Sequence, residues 1–273
     1  MQANICFIGA GNMSRSLIGG LIQSGYSANQ IWVADTSPQA LESIKQNFSI
    51  QGFNDNLTAI DSADIIVLAV KPQQLKSVCL SIADKLRQTK PLIISVAAGI
   101  KTDSIQDWLG GSLAIVRTMP NTPALIQAGA TGLFANAQVN TKQKDDAENI
   151  LRAAGLTIWV DDEAKLDIVT ALSGSGPAYF FLFMEAMQSA AEKLGLDAKT
   201  AELLTMQTAF GAAKMALESD DNCQELRRKV TSPNGTTERA IQSFEQSQLN
   251  LTIEKAMQAA HQRAQQLAQE LGE

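Results

Sequence analysis

The chain has 273 residues, 45% of them hydrophobic and 18% charged, and carries a formal net charge of −6. That length exceeds the usual size of one hydrophobic core, so two domains are expected, and the composition is that of a globular protein rather than a disordered one. Its basic residues are scattered rather than gathered into a stripe, which points away from nucleic acid or an anionic membrane surface as a partner.

Cys6, Cys79 and Cys223 lie far apart, form no CxxC pair and leave an odd thiol, as in a reducing compartment. The N-terminus enters an apolar run at once, without the basic segment and small-residue cleavage site of a secretory signal. The most apolar runs, 65–70 and 178–184, are too short to span a bilayer. A soluble, cytoplasmic protein is expected.

In chain order, short apolar runs at Ile5–Ile8, Ile31–Ala34, 65–70, 92–96 and 114–117 alternate with helix-length amphipathic stretches. Strands covered on both faces are continuously apolar, so the alternation predicts a doubly wound parallel sheet, which runs at 131–134 and 157–160 can extend. From about Asp161 the pattern becomes helical, broken at Gly174-Ser175-Gly176-Pro177, Gly195-Leu196-Asp197 and Ser232-Pro233-Asn234-Gly235. Pro177 suits a first helical turn, and Asp197 and Ser232 suit N-caps. An α/β domain over 1–160 is therefore expected to precede an all-helical domain over 161–273. Residues 178–184, Ala-Tyr-Phe-Phe-Leu-Phe-Met, are apolar right round a helix. Such a helix needs neighbours on all sides, from a second subunit or from a surrounding bundle.

The first apolar run leads into Gly9-Ala10-Gly11-Asn12-Met13-Ser14, a strand, a glycine turn and a helix start. Gly9 permits a tight turn, Gly11 lets backbone approach a pyrophosphate, and small Ser14 takes the third position, where the fingerprint has glycine or alanine. The helix N-terminus offers free N–H groups and partial positive charge to phosphates. With a second strand ending at Asp35, 21 residues after Ser14, the context is that of a Rossmann dinucleotide site. Asp35 is placed to accept hydrogen bonds from ribose hydroxyls and repel a 2′-phosphate, which favours NADH. Thr36 and Ser37 can instead meet a phosphate if Asp35 turns away, so the cofactor is NADP(H) or NAD(H).

Three further segments follow strand ends, where ligands bind in open sheets: Ala69-Val70-Lys71-Pro72-Gln73, Ser95-Val96-Ala97-Ala98-Gly99 and Arg117-Thr118-Met119-Pro120-Asn121-Thr122-Pro123. Together with Leu172-Ser173-Gly174-Ser175-Gly176-Pro177-Ala178-Tyr179 and Ser232-Pro233-Asn234-Gly235-Thr236-Thr237, they closely resemble the pyrroline-5-carboxylate reductases, in order and over essentially the whole chain. The resemblance implies reduction of 1-pyrroline-5-carboxylate to L-proline with NAD(P)H, the last step of proline biosynthesis, by a Rossmann domain joined to a helical dimerisation domain. It implies a homodimer, in some members assembled into a decamer, with the helix from Ala178 as an interface element. Carried over residue by residue, it implies nucleotide contacts at Gly9, Ala10, Gly11, Asn12 and Met13, and Asn56 beside the adenosine ribose. Ala69, Val70, Lys71, Pro72 and Ala97 would line the path to the nicotinamide. Substrate recognition would fall to Ser232, Thr236 and Thr237, with Glu163 a further candidate. The family usually has glycine at the position of Asn234, and asparagine tolerates a left-handed backbone nearly as well.

Hydride transfer to an imine needs a positioned nicotinamide, a partner for the substrate carboxylate and a proton for the ring nitrogen. The start of a helix at Ser232-Pro233 would let backbone N–H groups hold the carboxylate, and Thr237, one turn into it, could donate to the nitrogen. The sole histidine, His261, sits in a polar terminal helix, and no His, Cys and Asp cluster has metal-ligand spacing. Two other readings are a β-hydroxyacid dehydrogenase, which needs a lysine followed four residues later by asparagine after the Gly-Ser-Gly segment, and a redox-sensing dinucleotide module. The first lacks its pair here, and the loop 232–237 argues against the second.

Overall fold

The computed structural model describes residues 2–272. Two compact units make up the chain: residues up to Ser175 together with those from Ala260 on, and Gly176–Ala259. The division thus falls after Ser175 rather than after residue 160, and the end of the last helix returns to the first unit.

The first unit is built on strands β1 (Ile5–Ile8), β2 (Ile31–Ala34), β3 (Gln51–Phe53), β4 (Ile65–Leu68), β5 (Leu92–Ser95), β6 (Ile115–Met119), β7 (Gly129–Ala135) and β8 (Gly155–Trp159). They form one sheet in the order β3-β2-β1-β4-β5-β6-β7-β8. Every neighbouring pair is parallel except β6 and β7. The helices are α1 (Asn12–Gln23), α2 (Pro38–Phe48), α3 (Asn56–Ala59), α4 (Pro72–Thr89), α5 (Thr102–Leu109), α6 (Thr141–Arg152) and α7 (Lys165–Val169), followed by a π-turn at Thr170–Gly174.

The alternation of side chains along each strand sorts the core into two layers. Ile5 and Phe7 of β1 pack with Leu17 and Leu21 of α1, Ile44 of α2 and Leu151 of α6. Cys6 and Ile8 pack on the opposite face with Leu75 and Ile82 of α4 and Ile105 of α5. Each large aliphatic side chain so buried contributes about 1.5–3 kcal/mol. The sheet is therefore doubly wound, as the apolar runs required. Burial also pushes the Cys6 and Cys79 thiols up to about 12, which makes them inert packing groups.

Strand order reverses at β1 and β4, and that point is held by a close approach. Gly9 has φ +106°, and a Cβ there would lie 2.6 Å from the Ala69 carbonyl oxygen. The Gly9 N–H donates to the Ala34 carbonyl and the Ala69 N–H to the Ile8 carbonyl, both at 2.8 Å. The ends of β2, β1 and β4 are thereby tied together, opening the crevice where ligands bind in such sheets.

The second unit is all-helical, with α8 (Gly176–Lys193), α9 (Ala198–Glu218), α10 (Cys223–Lys229), α11 (Thr236–Gln246) and the first part of α12 (Leu249–Gly272). Asp197 caps α9 by accepting from the Thr200 N–H at 3.0 Å, as expected. Ser232 does not cap a helix. Gly235 holds the N-cap of α11, because Asn234 takes a left-handed turn at φ 59° that delays the helix to Thr236.

Much of the apolar surface of this unit is open: Phe180, Phe181 and Leu182 are 70%, 63% and 66% exposed, and Leu203, Leu204 and Phe210 are exposed as well. The helical run Lys165–Lys193 is long and apolar enough, by length and composition, to cross a membrane. The apolar run 178–184 is itself short, as expected; the length comes from helix that continues on both sides of it. An apolar surface of this extent requires a cover.

Gly9→Ala is expected to destabilise the protein by more than about 1 kcal/mol, since it combines a left-handed residue with a carbonyl contact. A thermal melt checks this; an unchanged midpoint contradicts the close approach.

Candidate functional site: a glycine turn and a helix start

The glycine turn lies at the C-terminal end of β1. Gly11 is the N-cap of α1, with φ −75° and ψ −174°, an ordinary extended backbone, and nothing of the protein lies within 4 Å of where its Cβ would be. Protein packing therefore gives no reason for glycine at position 11, whereas a ligand lying on the turn does. No side chain caps α1, so the Asn12, Met13 and Ser14 amides that open it lack helical acceptors, as the first amides of any helix do.

Three side chains fix the turn from behind. Ser14 is fully buried and its hydroxyl donates to the Gly9 carbonyl at 2.6 Å, so a hydroxyl is accommodated where the fingerprint has glycine or alanine. Asp35 Oδ2 accepts from the Ala10 N–H at 2.7 Å, and its Oδ1 accepts from the Ser37 N–H at 2.8 Å. Arg15, which no sequence pattern singles out, donates from Nε to the Ala10 carbonyl at 3.4 Å and from Nη1 to the Ser43 hydroxyl at 2.8 Å. Ala69 and Val70 extend β4 to the same crevice, ahead of Lys71, the exposed N-cap of α4, and Pro72, its first residue. Ala97 is buried just beyond β5. Asn56 opens α3, whose N-cap Asp55 accepts from the Thr58 N–H and hydroxyl at 2.8 and 2.7 Å. Those Thr58 hydrogen bonds hold the Asp55 carboxyl below its usual range. Thr36 is exposed between Asp35 and the Ser37 N-cap of α2.

Glu163 is held by Thr102 and Arg117. Its Oε1 accepts from the Thr102 N–H at 2.8 Å and pairs with Arg117 Nη1 at 3.1 Å, while its Oε2 accepts from the Thr102 hydroxyl at 2.8 Å. Arg117, 3% exposed on β6, also meets buried Asp167 at 3.4 Å. With both oxygens engaged inside the first unit, Glu163 anchors the start of α7 instead of offering a free carboxylate. Asn121 serves the same segment: its Nδ2 donates to the Ser173 carbonyl at 3.0 Å and its Oδ1 accepts from the Ala130 N–H at 2.9 Å. The signal available in sequence was an arginine ending an apolar strand run, because a charge in a buried strand requires partners.

In the second unit, Ser232, Thr236 and Thr237 are exposed and belong to one short loop and helix start. The Gly235 N–H donates to the Ser232 carbonyl at 3.0 Å, and the Asn234 N–H donates to Glu238 Oε2 at 2.9 Å. Thr236 and Thr237 are the first two residues of α11, whose Gly235 cap supplies no side chain. The opening amides thus have no side-chain acceptor within the helix and lie at an exposed helix start, a place where anions can bind. Among the described residues, no group of three His, Cys, Asp or Glu side chains gathers as metal ligands do.

A largely parallel sheet with a glycine turn at its switch point, joined to a helical unit, is the architecture of Rossmann-type dinucleotide-binding oxidoreductases. Residues 4–99 match the family described as NADP oxidoreductase coenzyme F420-dependent, and residues 163–267 match pyrroline-5-carboxylate reductase dimerisation. The chain is 52% identical to the pyrroline-5-carboxylate reductase of Pseudomonas aeruginosa over 98% of both chains. The solved pyrroline-5-carboxylate reductase of Coxiella burnetii superposes with a TM-score of 0.95 at 51% identity, covering 98% of this chain and 99% of that one. The Plasmodium falciparum pyrroline carboxylate reductase with NADP bound has a TM-score of 0.85 at 30% identity, covering 97% and 98%. The chain belongs to the pyrroline-5-carboxylate reductase family, as the motif resemblance implied.

Glu163→Gln is expected to lower stability by about 1–3 kcal/mol, since it weakens the hydrogen bonds to Thr102 and Arg117 while Arg117 keeps Asp167 as its ionic partner. The KM for substrate should stay within about twofold. A raised KM with an unchanged melting midpoint would restore a substrate-binding role.

Proposed function

We propose that the chain reduces 1-pyrroline-5-carboxylate to L-proline, the last step of proline biosynthesis, with NADPH or NADH as the hydride source. The observation that carries this reading is the coexistence, each within its own unit, of a glycine turn left open beyond Gly11 and a helix start left uncapped at Thr236. The open turn fits a dinucleotide: Gly9 to Met13 hold the pyrophosphate, with Thr36 and Asn56 toward the adenosine side and Ala69, Val70, Lys71, Pro72 and Ala97 toward the nicotinamide. Bound there, the reduced dinucleotide supplies a hydride to the imine carbon.

The loop supplies the rest. The substrate carboxylate lies on the opening amides of α11 with the Ser232 and Thr236 hydroxyls, and Thr237 donates a hydrogen bond to the ring nitrogen, which takes up a proton as the C=N bond becomes C–N. Positioning two reactants is worth roughly 7–11 kcal/mol of barrier when the geometry is right, so a site without a catalytic histidine suffices. Functionally, the sheet unit carries the cofactor and the helical unit the substrate loop and dimer contacts.

A second copy of the chain covers the apolar faces of α8 and α9, which makes the homodimer the working unit, with a decamer as the further assembly. This reading rests on the match to a dimerisation family over residues 163–267 and on the exposed phenylalanines and leucines of those helices. It gives the membrane-length run Lys165–Lys193 a protein partner in place of lipid. A cytoplasmic location accords with three free cysteines.

Thr237→Ala should lower kcat by about 10²-fold or more while the affinity for dinucleotide is kept, as expected when the hydrogen bond to the nitrogen being protonated is lost. Wild-type turnover at saturating substrate would remove Thr237 from the reaction. Sedimentation of the full chain at micromolar concentration should show a dimer or a multiple of it, and a monomer would contradict the proposed cover.

A further inference from the structure

We propose that Asp35 shapes the glycine turn for either dinucleotide and does not select against a 2′-phosphate; the proposal rests on the dinucleotide dependence argued above. An acidic residue ending the second strand discriminates when its carboxylate is directed at the ribose hydroxyls. Here it is directed at the backbone. Oδ2 accepts from the Ala10 N–H at 2.7 Å and Oδ1 from the Ser37 N–H at 2.8 Å, so the two oxygens bridge the turn after β1 to the start of α2.

Ala10 is 2% exposed. Without Asp35 its N–H loses a charged acceptor, which weakens the hold on the turn. The other side of the same residue is held by Arg15 Nε on the Ala10 carbonyl at 3.4 Å. The middle residue of the turn is therefore fixed from both sides, and with it the amides of Gly11 to Met13 that face the pyrophosphate. That group is common to NADH and NADPH, so a fault in the turn penalises both alike. The residue exposed beside the adenosine end is Thr36, which is uncharged.

The test is a fluorescence titration of the full-length protein with NADH and with NADPH, for the wild type, Asp35→Ala and Asp35→Asn, together with steady-state kinetics. Asp35→Ala should weaken both dinucleotides by about tenfold, the loss of charge-assisted hydrogen bonds being felt in the turn. The NADPH to NADH affinity ratio should stay within about twofold of wild type. Asp35→Asn, whose amide oxygen replaces one of the two acceptors, should weaken both by a smaller common factor, and in both variants the loss should be carried more by the dinucleotide KM than by kcat. Circular dichroism confirms that each variant is folded, and Asp35→Asn carries the test if the alanine variant is not. A shift of the ratio toward NADPH by about fivefold or more in either variant overturns the proposal, as does unchanged affinity for both dinucleotides. If the wild type bound neither, the functional reading would fall and this proposal with it, an outcome distinct from a changed ratio.

Discussion

Gly9 stands where β1 ends, with its Cα facing the Ala69 carbonyl so closely that any side chain would collide with it. Around that point the backbone of β2, β1 and β4 is joined by the Gly9 to Ala34 and Ala69 to Ile8 hydrogen bonds. The same contact that sets the strands side by side sets the mouth of the crevice, and every proposed cofactor residue from Gly9 to Ala97 follows the C-terminal end of a strand or begins the next helix. Ser14, Asp35 and Arg15 each place a hydrogen bond on the turn, and Asp35 and Arg15 tie it to Ser37 and Ser43 as well. The site is preorganised by groups that need not touch the ligand.

A second constraint is electrostatic. Arg117 lies in the sheet with Glu163 and Asp167 around it, and the two carboxylates come from the segment that leads out of the last strand. Replacing Arg117 would leave two carboxylates facing each other without a cation, a cost well above that of losing a surface pair, whereas loss of either carboxylate leaves Arg117 its other partner. Asn121 adds two hydrogen bonds between β7 and the π-turn. Much of the segment 117–123 that resembles the family motif is thus explained by holding the exit of the first unit in place.

The two-layered sheet was legible because covered strands are continuously apolar: β1, β2, β4 and β5 coincide with runs visible in the sequence. β3 was not, since Gln51-Gly52-Phe53 is short, with Gln51 exposed, and becomes a strand only by pairing with β2. The antiparallel setting of β7 depends on its partner, which no local pattern encodes. The glycine turn could be read because its chemistry is local. The hydrogen-bond partners of Glu163 could not, because one of them, Thr102, lies 61 residues away. Asn234 shows both cases: its left-handed conformation was foreseeable from residue type, yet the resulting shift of the helix start to Thr236 was not.

The central claim is that the open turn and the uncapped helix start serve one reduction. Its most direct measurement follows NADPH and NADH oxidation by the purified full-length protein, offered 1-pyrroline-5-carboxylate or a β-hydroxyacid's keto form, with L-proline quantified at the end. The account predicts oxidation only with 1-pyrroline-5-carboxylate and one proline formed per dinucleotide oxidised. Oxidation with the keto acid alone, or silence with both substrates while dinucleotide still binds, would contradict it.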